Sequence, residues 1–500
     1  REEFLCDHRS VYTLRRDALD RIVEEVDYWG QSRHYQYDAA GRLAATIDPL
    51  GQRIAFANDP MGRITRKTFA DPLRPDRQVQ EHFAYDLRGQ LVEMRNDAMH
   101  VKRRFDPAGL LLEERQGGFR VTYRYDEAGN RVLRETSAGH RTACAFDPGN
   151  RLESLTIDDR PPIVMTRDAL GRTTHEQLGP GLERRFDYDT RDQLTAQRLL
   201  KDVAPVFDTR YDYDRAGQLV SRSDSQQGVD QYRYDVLGQL LEHMAPQGRI
   251  RRFLHDPAGD RLQTRIRLAP LKQVAGGEAD PEAVLWTREG SLEGVHYVFD
   301  RAGDLVRIGS AESADGGLDL LWDANHRLAE SRSGAAATRY GYDPAGRRVF
   351  KRGLTQTTWF FWDGNALLGE MVEDNDAPRP PLASPSSPML RLAGASQPPG
   401  KQDRRYQHAR EYVYYPSTFV PLALIAHEGG ATRTLHYHVD PNGCPTRITN
   451  EDGRVVWSAS FDAWGAITAL HREEVSNPLR FQGQYFDPET RLHYNRYRYF

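Results

Sequence analysis

The fold is decided by a stretch that reads Tyr85-Asp86-Leu87-Arg88-Gly89-Gln90-Leu91. Its pattern is an aromatic residue, Asp, two variable residues, Gly, a polar residue and an aliphatic residue, and it recurs along the chain. Further clear copies begin at Tyr37, Tyr125, Tyr213, Tyr234 and Tyr342, and variants begin at Phe105, Phe146, Phe299, Trp322, Trp362, Phe461 and Phe486. From Asp86 to Asp189 the Asp residues follow one another at steps of 20 or 21 residues. Such a period indicates a repeat architecture.

Each copy predicts a β-hairpin. Before Asp126, the residues Val121, Tyr123 and Tyr125 alternate with polar residues, which is the pattern of a strand with one apolar face. The Asp carboxylate can accept a hydrogen bond from the backbone two residues on, and the Gly supplies a positive φ for the turn. Because the Asp recurs at the same place in nearly every copy, a turn-forming role is favoured over acid–base chemistry or calcium binding. We therefore expect an all-β fold, built as a long array of antiparallel β-hairpins.

The composition points to a thin structure. Of the 500 residues 39% are hydrophobic and 28% are charged, and the mean hydropathy is −0.71, which is too polar for one thick core. The 10% aromatic content argues against disorder. We expect strands whose faces are wet or half-wet.

The charge is nearly balanced. A formal net charge of −4 gives no pull toward nucleic acid or acidic membranes. The basic pairs Arg103-Arg104, Arg251-Arg252 and Arg404-Arg405 are scattered, and we expect them on solvated strand faces. The sequence therefore predicts neither a nucleic-acid partner nor a membrane partner for this segment.

The cysteines and the lengths of the apolar segments indicate the cellular environment in which the chain folds. Cys6, Cys144 and Cys444 show no CxxC spacing, which excludes a disulfide framework and a zinc ribbon and indicates folding in a reducing cytoplasm. No segment approaches the roughly 20 apolar residues of a membrane helix, and no signal peptide is present. Because the sequence opens at Arg1, we interpret it as an interior piece of a longer chain.

Two interruptions divide the array. The step of 44 residues from Asp256 to Asp300, with Gly276-Gly277 inside it, predicts one degenerate unit with an enlarged loop. Residues 373–410 are rich in Pro and Ser, and we interpret them as a flexible excursion, for which a surface linker is favoured over a polyproline docking site. The repeat array is thus expected over 1–372 and 411–476, followed by a distinct segment at 477–500.

One constellation resembles a metal site. His436 and His438 share a face of a predicted strand and could hold a metal with Asp440, although a polar strand face is the favoured interpretation. The sequence lacks HExxH, GxSxG, a phosphate-binding GxxxxGK and a dinucleotide fingerprint. We predict that this segment has no catalytic, cofactor-binding or metal-binding residues and is not an enzyme.

The repeated Tyr-Asp-x-x-Gly-Arg-Leu unit resembles the YD repeats of bacterial Rhs (rearrangement hotspot) proteins, of toxin-complex C components and of animal teneurins. The last stretch, from Asn477 to Tyr499, is more specific and resembles the start of the C-terminal signature of the Rhs core. Arg491 stands where the signature usually has Gly. Because Arg resists positive φ, the turn at that position is expected to differ from the family's form.

The resemblance implies a hollow spiral or barrel-like shell that encapsulates a C-terminal toxin domain, cut from the shell by a self-cleaving aspartyl site after Phe500. It also implies delivery into a target cell from the bacterial cytoplasm by a secretion system of type VI, in interbacterial competition. The implied partners are the chain's own toxin domain, an N-terminal PAAR-type domain on the secretion spike, a chaperone and an immunity protein. The alternative is a cell-surface recognition or carbohydrate-binding module, which paired cysteines and Asn-x-Ser/Thr sites would favour.

Overall fold

The computed structural model describes residues 2–5, 11–255, 259–270, 284–310, 313–376, 406–428 and 430–500. The chain forms two compact units, each made from two stretches of sequence. Unit 1 comprises Arg1–His100 and Leu254–Leu354, and unit 2 comprises Val101–Phe253 and Thr355–Phe500. The described residues form 43 β-strands and no helix. No helix that could span a membrane is therefore found among them.

The strands fall into four consecutive runs, of which the first and third belong to unit 1. The first run is β1 (Glu2–Leu5), β2 (Val11–Arg16), β3 (Ile22–Val26), β4 (Ser32–Tyr37), β5 (Leu43–Ile47), β6 (Arg53–Asn58), β7 (Ile64–Asp71), β8 (Arg74–Tyr85) and β9 (Leu91–Arg95). The second run is β10 (His100–Phe105), β11 (Leu111–Gln116), β12 (Phe119–Tyr125), β13 (Arg131–Thr136), β14 (Arg141–Phe146), β15 (Leu152–Ile157), β16 (Ile163–Arg167), β17 (Thr173–Gly179), β18 (Leu182–Tyr188), β19 (Leu194–Lys201), β20 (Ala204–Tyr213), β21 (Leu219–Asp224), β22 (Gly228–Tyr234), β23 (Leu240–Met244) and β24 (Ile250–Arg252).

The third run is β25 (Thr264–Pro270), β26 (Val284–Leu292), β27 (Val295–Phe299), β28 (Leu305–Ser310), β29 (Ser313–Trp322), β30 (Leu328–Ser333), β31 (Ala336–Tyr342) and β32 (Arg348–Arg352). The fourth run is β33 (Gln356–Asp363), β34 (Ala366–Asp374), β35 (Tyr406–Tyr414), β36 (Pro421–Glu428), β37 (Ala431–Val439), β38 (Pro445–Thr449), β39 (Val455–Phe461), β40 (Ile467–Glu473), β41 (Tyr485–Asp487), β42 (Leu492–Asn495) and β43 (Arg498–Tyr499).

Pairing follows the order of the chain. Within each run a strand pairs antiparallel with the next, as in β12 with β13 and in β36 with β37. The last three strands form a separate small sheet, in which β41 pairs with β42 and β42 with β43. The prediction of an all-β array of antiparallel hairpins is confirmed.

The Asp of each repeat closes the turn as predicted. At Asp86 the Oδ1 atom accepts hydrogen bonds from the backbone N–H of Arg88 and of Gln90, both at 2.9 Å. The backbone N–H of Gly89 donates to the carbonyl oxygen of Asp86 at 3.1 Å. These three bonds satisfy backbone groups that cannot pair in the sheet at a chain reversal.

The aromatic residue before the Asp links one hairpin to the previous one. The hydroxyl of Tyr37 donates to the carbonyl oxygen of Ile22, the first residue of the preceding return strand, at 2.7 Å. Tyr85, Tyr125, Tyr188, Tyr213, Tyr234 and Tyr342 make the equivalent bond, and Trp322 makes it through Nε1. The preference for Tyr therefore has a physical cause: its ring packs on the sheet while its hydroxyl reaches a backbone acceptor.

An Arg that directly follows the turn Gly also bridges neighbouring copies of the repeat, as Arg172 shows. Arg172 Nε donates to Asp168 Oδ2 at 2.7 Å, and its Nη1 donates to the carbonyl oxygen of Asp189 in the next copy at 3.0 Å. Its guanidinium lies 4.9 Å from the ring centre of Tyr188. Such contacts between cation and ring are worth about 0.5–1 kcal/mol at exposed sites.

The same Asx-turn also closes the opposite ends of some hairpins, which the sequence interpretation missed. Asp27 accepts backbone hydrogen bonds from Trp29 and Gln31, both at 2.8 Å, although no aromatic residue precedes it. Asp48 does the same with Leu50 and Gln52. In this part of the chain the turn motif therefore recurs at both ends of the strands.

The turn glycines use positive φ. Gly217 and Gly238 have φ of +86° and +84°. Arg491 has a φ of +60°, so this position adopts the left-handed conformation without a glycine. The expectation that Arg would change the turn there is wrong, because the backbone N–H of Arg491 donates to the carbonyl oxygen of Asp487 at 2.7 Å and closes the turn.

Gly303→Ala is expected to destabilise unit 1 by about 1–2 kcal/mol, the cost of left-handed backbone for a residue with a Cβ. Gly303 has a φ of +88°, and a Cβ added there would meet nothing within 4 Å, so backbone strain is isolated from steric clash. Gly309→Ala is the matched control, because Gly309 lies outside the left-handed region and its added Cβ would make only a 3.5 Å contact. Hydrogen exchange of β27 and β28 measures the difference in stability between the two variants. Equal exchange rates in both would contradict a strained left-handed backbone at residue 303.

The two interruptions lie partly outside the described residues. Residues 256–258 and 271–283 are not described, so the degenerate unit stays a prediction, while β25 and β26 on either side of 271–283 pair antiparallel. Residues 377–405 of the excursion are also outside the described ranges. Strands β34 and β35 occupy its first and last residues and pair with each other, so ordered strand extends further into 373–410 than predicted.

The expectation of wet or half-wet strand faces is wrong for part of unit 2. In β36 the six residues from Pro421 to Ala426 are all buried, and in β38 all five residues are buried. Ala423 and Ile425 pack into a cluster with Leu182, Leu199 and Phe207 of the second run. Two sheets therefore pack face to face within unit 2, and this packing removes from water strands that composition alone had placed on the surface.

Candidate functional site

The feature of unit 2 that carries most polar chemistry is the buried contact between β10–β24 and β33–β40, here called the inter-sheet seam. Apolar clusters with residues from both sheets lie within the seam. In one of them Phe119, Val121 and Tyr123 pack against Phe361 and Leu368, with the Phe119 and Phe361 ring centres 4.4 Å apart. Charged residues lie between these clusters, and each of those described below has a partner.

The first charged group of the seam centres on Arg184. Its Nε donates to Glu176 Oε2 at 2.8 Å, and its Nη1 donates to the carbonyl oxygen of Tyr437 in the facing sheet at 2.8 Å. The hydroxyl of Tyr415 donates to Glu176 Oε1 at 2.7 Å. Burial alone would lower the pKa of Arg184, but the charge of Glu176 raises it above its usual value. The guanidinium thus stays charged and fixes the register between the two sheets.

The second group joins β13 to β33 and β35. Asp363 accepts hydrogen bonds from Arg131 Nη1 at 2.8 Å and from the Tyr123 hydroxyl at 2.9 Å. Burial would raise the pKa of Asp363, but the charges of Arg131 and Arg134 lower it. Glu411 accepts from Thr136 Oγ1 at 3.0 Å, and here burial prevails and raises the pKa of the carboxyl.

The third group is the pair of Asp224 and Arg447, whose side chains are 0% and 1% exposed. Arg447 Nη2 donates to Asp224 Oδ1 at 2.5 Å. Thr209 Oγ1 donates to the other carboxylate oxygen of Asp224 at 2.7 Å. Burial would raise the pKa of Asp224, but the charge and hydrogen bond of Arg447 lower it. Sequence reasoning missed the whole seam, because its partners lie more than 200 residues apart and the charged residues sit on otherwise ordinary strands.

The segment at 477–500, predicted as a family signature, packs on the fourth run. The Tyr485 hydroxyl donates to Glu370 Oε2 at 2.6 Å, and Trp362 and Tyr494 form an edge-to-face pair with ring centres 6.3 Å apart. The Tyr437 hydroxyl donates to Asn477 Oδ1 at 3.2 Å. These contacts are structural and explain why a short segment with only three brief strands is ordered.

The residues weighed as a metal site do not form one. His436 and His438 are buried, and His438 Nε2 lies 2.9 Å from Thr449 Oγ1. Asp440 Oδ1 accepts the backbone N–H groups of Asn442 and Cys444, so its carboxylate closes a turn. Across the described ranges no three His, Cys, Asp or Glu residues are grouped to hold a metal ion. The absence of catalytic, cofactor-binding and metal-binding residues remains a prediction.

The basic pairs expected on solvated faces include structural partners. Arg103 Nε donates to the buried carboxylate of Glu114 at 2.7 Å, and Arg251 Nη1 donates to Asp462 Oδ2 at 2.9 Å. Arg103 and Arg251 are half-buried, whereas Arg104 and Arg252 are exposed, so the expectation is confirmed for one member of each pair. Arg404 and Arg405 lie outside the described residues. Cys144 and Cys444 are free thiols, and Cys6 is not described.

The fold and the seam together define a structural β-repeat scaffold. The sequence profile described as "RHS Repeat" matches residues 16–53, 37–73 and 213–250, and the profile described as "RHS protein" matches residues 435–471. These matches agree with the resemblance of the repeats to those of Rhs proteins.

Two relatives and one solved structure show how far the similarity extends. Toxin protein Tse5 of Pseudomonas aeruginosa is 36% identical over 42% of this chain and 16% of its own length. Probable deoxyribonuclease RhsA of Dickeya dadantii is 26% identical over 97% of this chain and 32% of its own length. The crystal structure of TcdB2-TccC3-TEV has a TM-score of 0.66 at 14% identity, over 98% of this chain and 26% of that one. The chain thus spans a third or less of these relatives and shares its fold with the TcdB2-TccC3 structure.

Proposed function

We propose that this chain forms part of a shell that encloses the C-terminal toxin domain of a longer Rhs effector. The observation that carries the proposal is the antiparallel pairing of consecutive strands within each run up to β40, in a chain whose relatives include a protein named as a toxin. The chain covers only 16% of Tse5 and 32% of RhsA, which leaves ample sequence in a protein of that kind for a separate toxic domain.

The chemistry of the seam supports a structural role. Its carboxylates and guanidiniums pair with one another, and such buried pairs specify a single register between sheets more than they add stability. Continuous antiparallel pairing also leaves few unpaired strand edges, which resists both aggregation and local opening. A wall that opens rarely is what containment of a toxin requires.

The test is limited proteolysis of the full-length protein under native conditions, with mass spectrometry of the C-terminal domain over time. We expect that domain to survive much longer inside the full-length protein than when it is made alone. Arg447→Met, which breaks a buried pair of the seam, should shorten its survival, whereas Arg454→Met at an exposed pair should not. Equal digestion of the enclosed and the isolated domain would overturn the proposal and favour the surface-recognition or carbohydrate-binding function.

The finer proposal concerns delivery and follows from the family resemblance. We propose that the whole protein is made in the bacterial cytoplasm and injected by a type VI secretion system into competing bacteria. A PAAR-type domain would attach it to the spike, a chaperone would assist loading, and an immunity protein would protect the producer. The part of residues 373–410 between β34 and β35 would form the predicted surface excursion outside the wall. Export that persists in cells lacking the spike protein would contradict this route.

A further inference from the structure

A pair of histidines in unit 2 faces across the seam, and neither belongs to the ion pairs described above. His140 lies in the turn between β13 and β14, where the backbone N–H of Thr136 donates to the carbonyl oxygen of His140 at 2.9 Å. His427 lies on β36. The two Nε2 atoms are 2.8 Å apart, and the ring centres are 4.9 Å apart. His140 is buried and His427 half-buried, so the pair is enclosed yet reachable from solvent.

Each imidazole is oriented by a hydrogen bond on its other nitrogen. His140 Nδ1 lies 2.8 Å from Asp158 Oδ2, and Asp158 Oδ1 accepts the backbone N–H of Arg141 at 2.8 Å, which fixes the carboxylate. His427 Nδ1 lies 2.9 Å from Oγ1 of Thr432, its cross-strand partner. Histidines that bind metals are characteristically held in this way, with a carboxylate or another polar partner at the nitrogen that does not bind.

The electrostatic surroundings favour a cation at His140 and a neutral imidazole at His427, because burial and the charge of His140 lower the pKa of His427 to about 4. The carboxylates of Asp158 and Glu411 both attract positive charge at His140, and Arg134 opposes them. In the metal-free state the two facing nitrogens can satisfy each other only by sharing one proton in an N–H···N bond. A metal ion would be bound by both lone pairs at once.

We propose that His140 and His427 bind one transition-metal ion through their Nε2 atoms, linking β36 to the β13–β14 turn. Zn–N bonds of about 2.0–2.1 Å place two ligating nitrogens of a tetrahedral ion about 3.3 Å apart. The two Nε2 atoms would thus move from 2.8 Å to about 3.3 Å apart, and the rings would turn until both lone pairs point at the ion. Solvent completes the coordination. Imidazole ligands select Zn²⁺, Ni²⁺ or Cu²⁺ over Mg²⁺ and Ca²⁺.

The inference does not depend on the proposed shell function. The test uses the 500-residue chain, freed of metal with a chelator and titrated separately with Zn²⁺, Ni²⁺ and Mg²⁺. The chain has 16 histidines, so metal binding by the wild type alone does not identify the site. The decisive comparison is between the metal affinity of the wild type and that of the variants. We expect one tight equivalent of Zn²⁺ or Ni²⁺ and a raised melting temperature, with no effect of Mg²⁺.

His427→Gln is expected to weaken this binding by more than about tenfold, and Asp158→Asn, which keeps both ligands, by about tenfold or more. His471→Gln removes an exposed histidine and should leave binding unchanged. If His427→Gln perturbs folding, Asp158→Asn and the Cu²⁺ electron paramagnetic resonance spectrum of the wild type still decide the matter, since two coordinated imidazole nitrogens split its lines. Binding that is equal in wild type and in both site variants, or no tight equivalent in the wild type, would overturn the proposal.

Discussion

Arg447→Met is expected to destabilise unit 2 by about 3–5 kcal/mol, the usual cost of leaving a buried charge without its partner. Asp224 is fully buried, and without Arg447 its carboxylate would keep the hydrogen bonds from Thr209 and from the backbone of Gln226 and Gln227, with Arg222 Nη2 more distant at 3.9 Å. The Arg447 guanidinium also lies 4.6 Å from the ring centre of Phe207, so its loss leaves a gap beside a core residue.

The measurement is hydrogen exchange of peptides from β21 and β38, because a chain with two units is not expected to unfold in a single two-state transition. Arg454→Met is the matched control. Its pair with Glu474 has a similar distance of 2.8 Å but is 53% and 33% exposed, so it should change exchange little.

A double variant separates charge from packing. Asp224→Asn combined with Arg447→Met removes both charges, so it should recover part of the loss seen with Arg447→Met alone. A double variant less stable than the sum of the two single variants would show that the pair does not act through its charges.

Acidification from pH 7.5 to pH 5 is expected to destabilise unit 2 by about 2 kcal/mol for each of His436 and His438. Burial lowers the pKa of His436 to about 3 and that of His438 well below its usual value, and the charge of Arg184 adds to both shifts. The imidazole of His436 and the charge of Arg447 also lower the pKa of His438.

The sign follows from proton binding. Below about pH 6.5 the unfolded chain protonates these imidazoles, while the folded chain does not do so until far lower pH. The stabilising contribution is therefore complete above pH 6.5 and is lost as the pH falls toward 3. The pH dependence of hydrogen exchange in β37 and β38 measures it, after correction for the intrinsic rate. The double variant His436→Gln/His438→Gln should flatten this dependence, and an unchanged slope would contradict the assignment.

The turns and the hairpin array were determined by the sequence itself. An Asx-turn such as that at Asp86 closes within five residues, so its chemistry is readable from a short window. Strand alternation around Tyr123 and Tyr125 is equally local, and the period of the Asp residues follows from repeating one unit. The exceptions were also local: the turns at Asp27 and Asp48 lack the preceding aromatic residue, and Arg491 adopts positive φ because a backbone bond holds it.

Only the tertiary structure decided which residues face each other across the seam. Asp224 and Arg447 are 223 positions apart in the sequence, and nothing near either of them identifies the other. The same holds for His140 and His427, which are 287 positions apart. The physical reason is that hairpin formation uses contacts between neighbours in the chain, whereas sheet packing depends on which faces meet. The sequence of a strand such as β36 therefore does not show that both of its faces are covered in the folded protein.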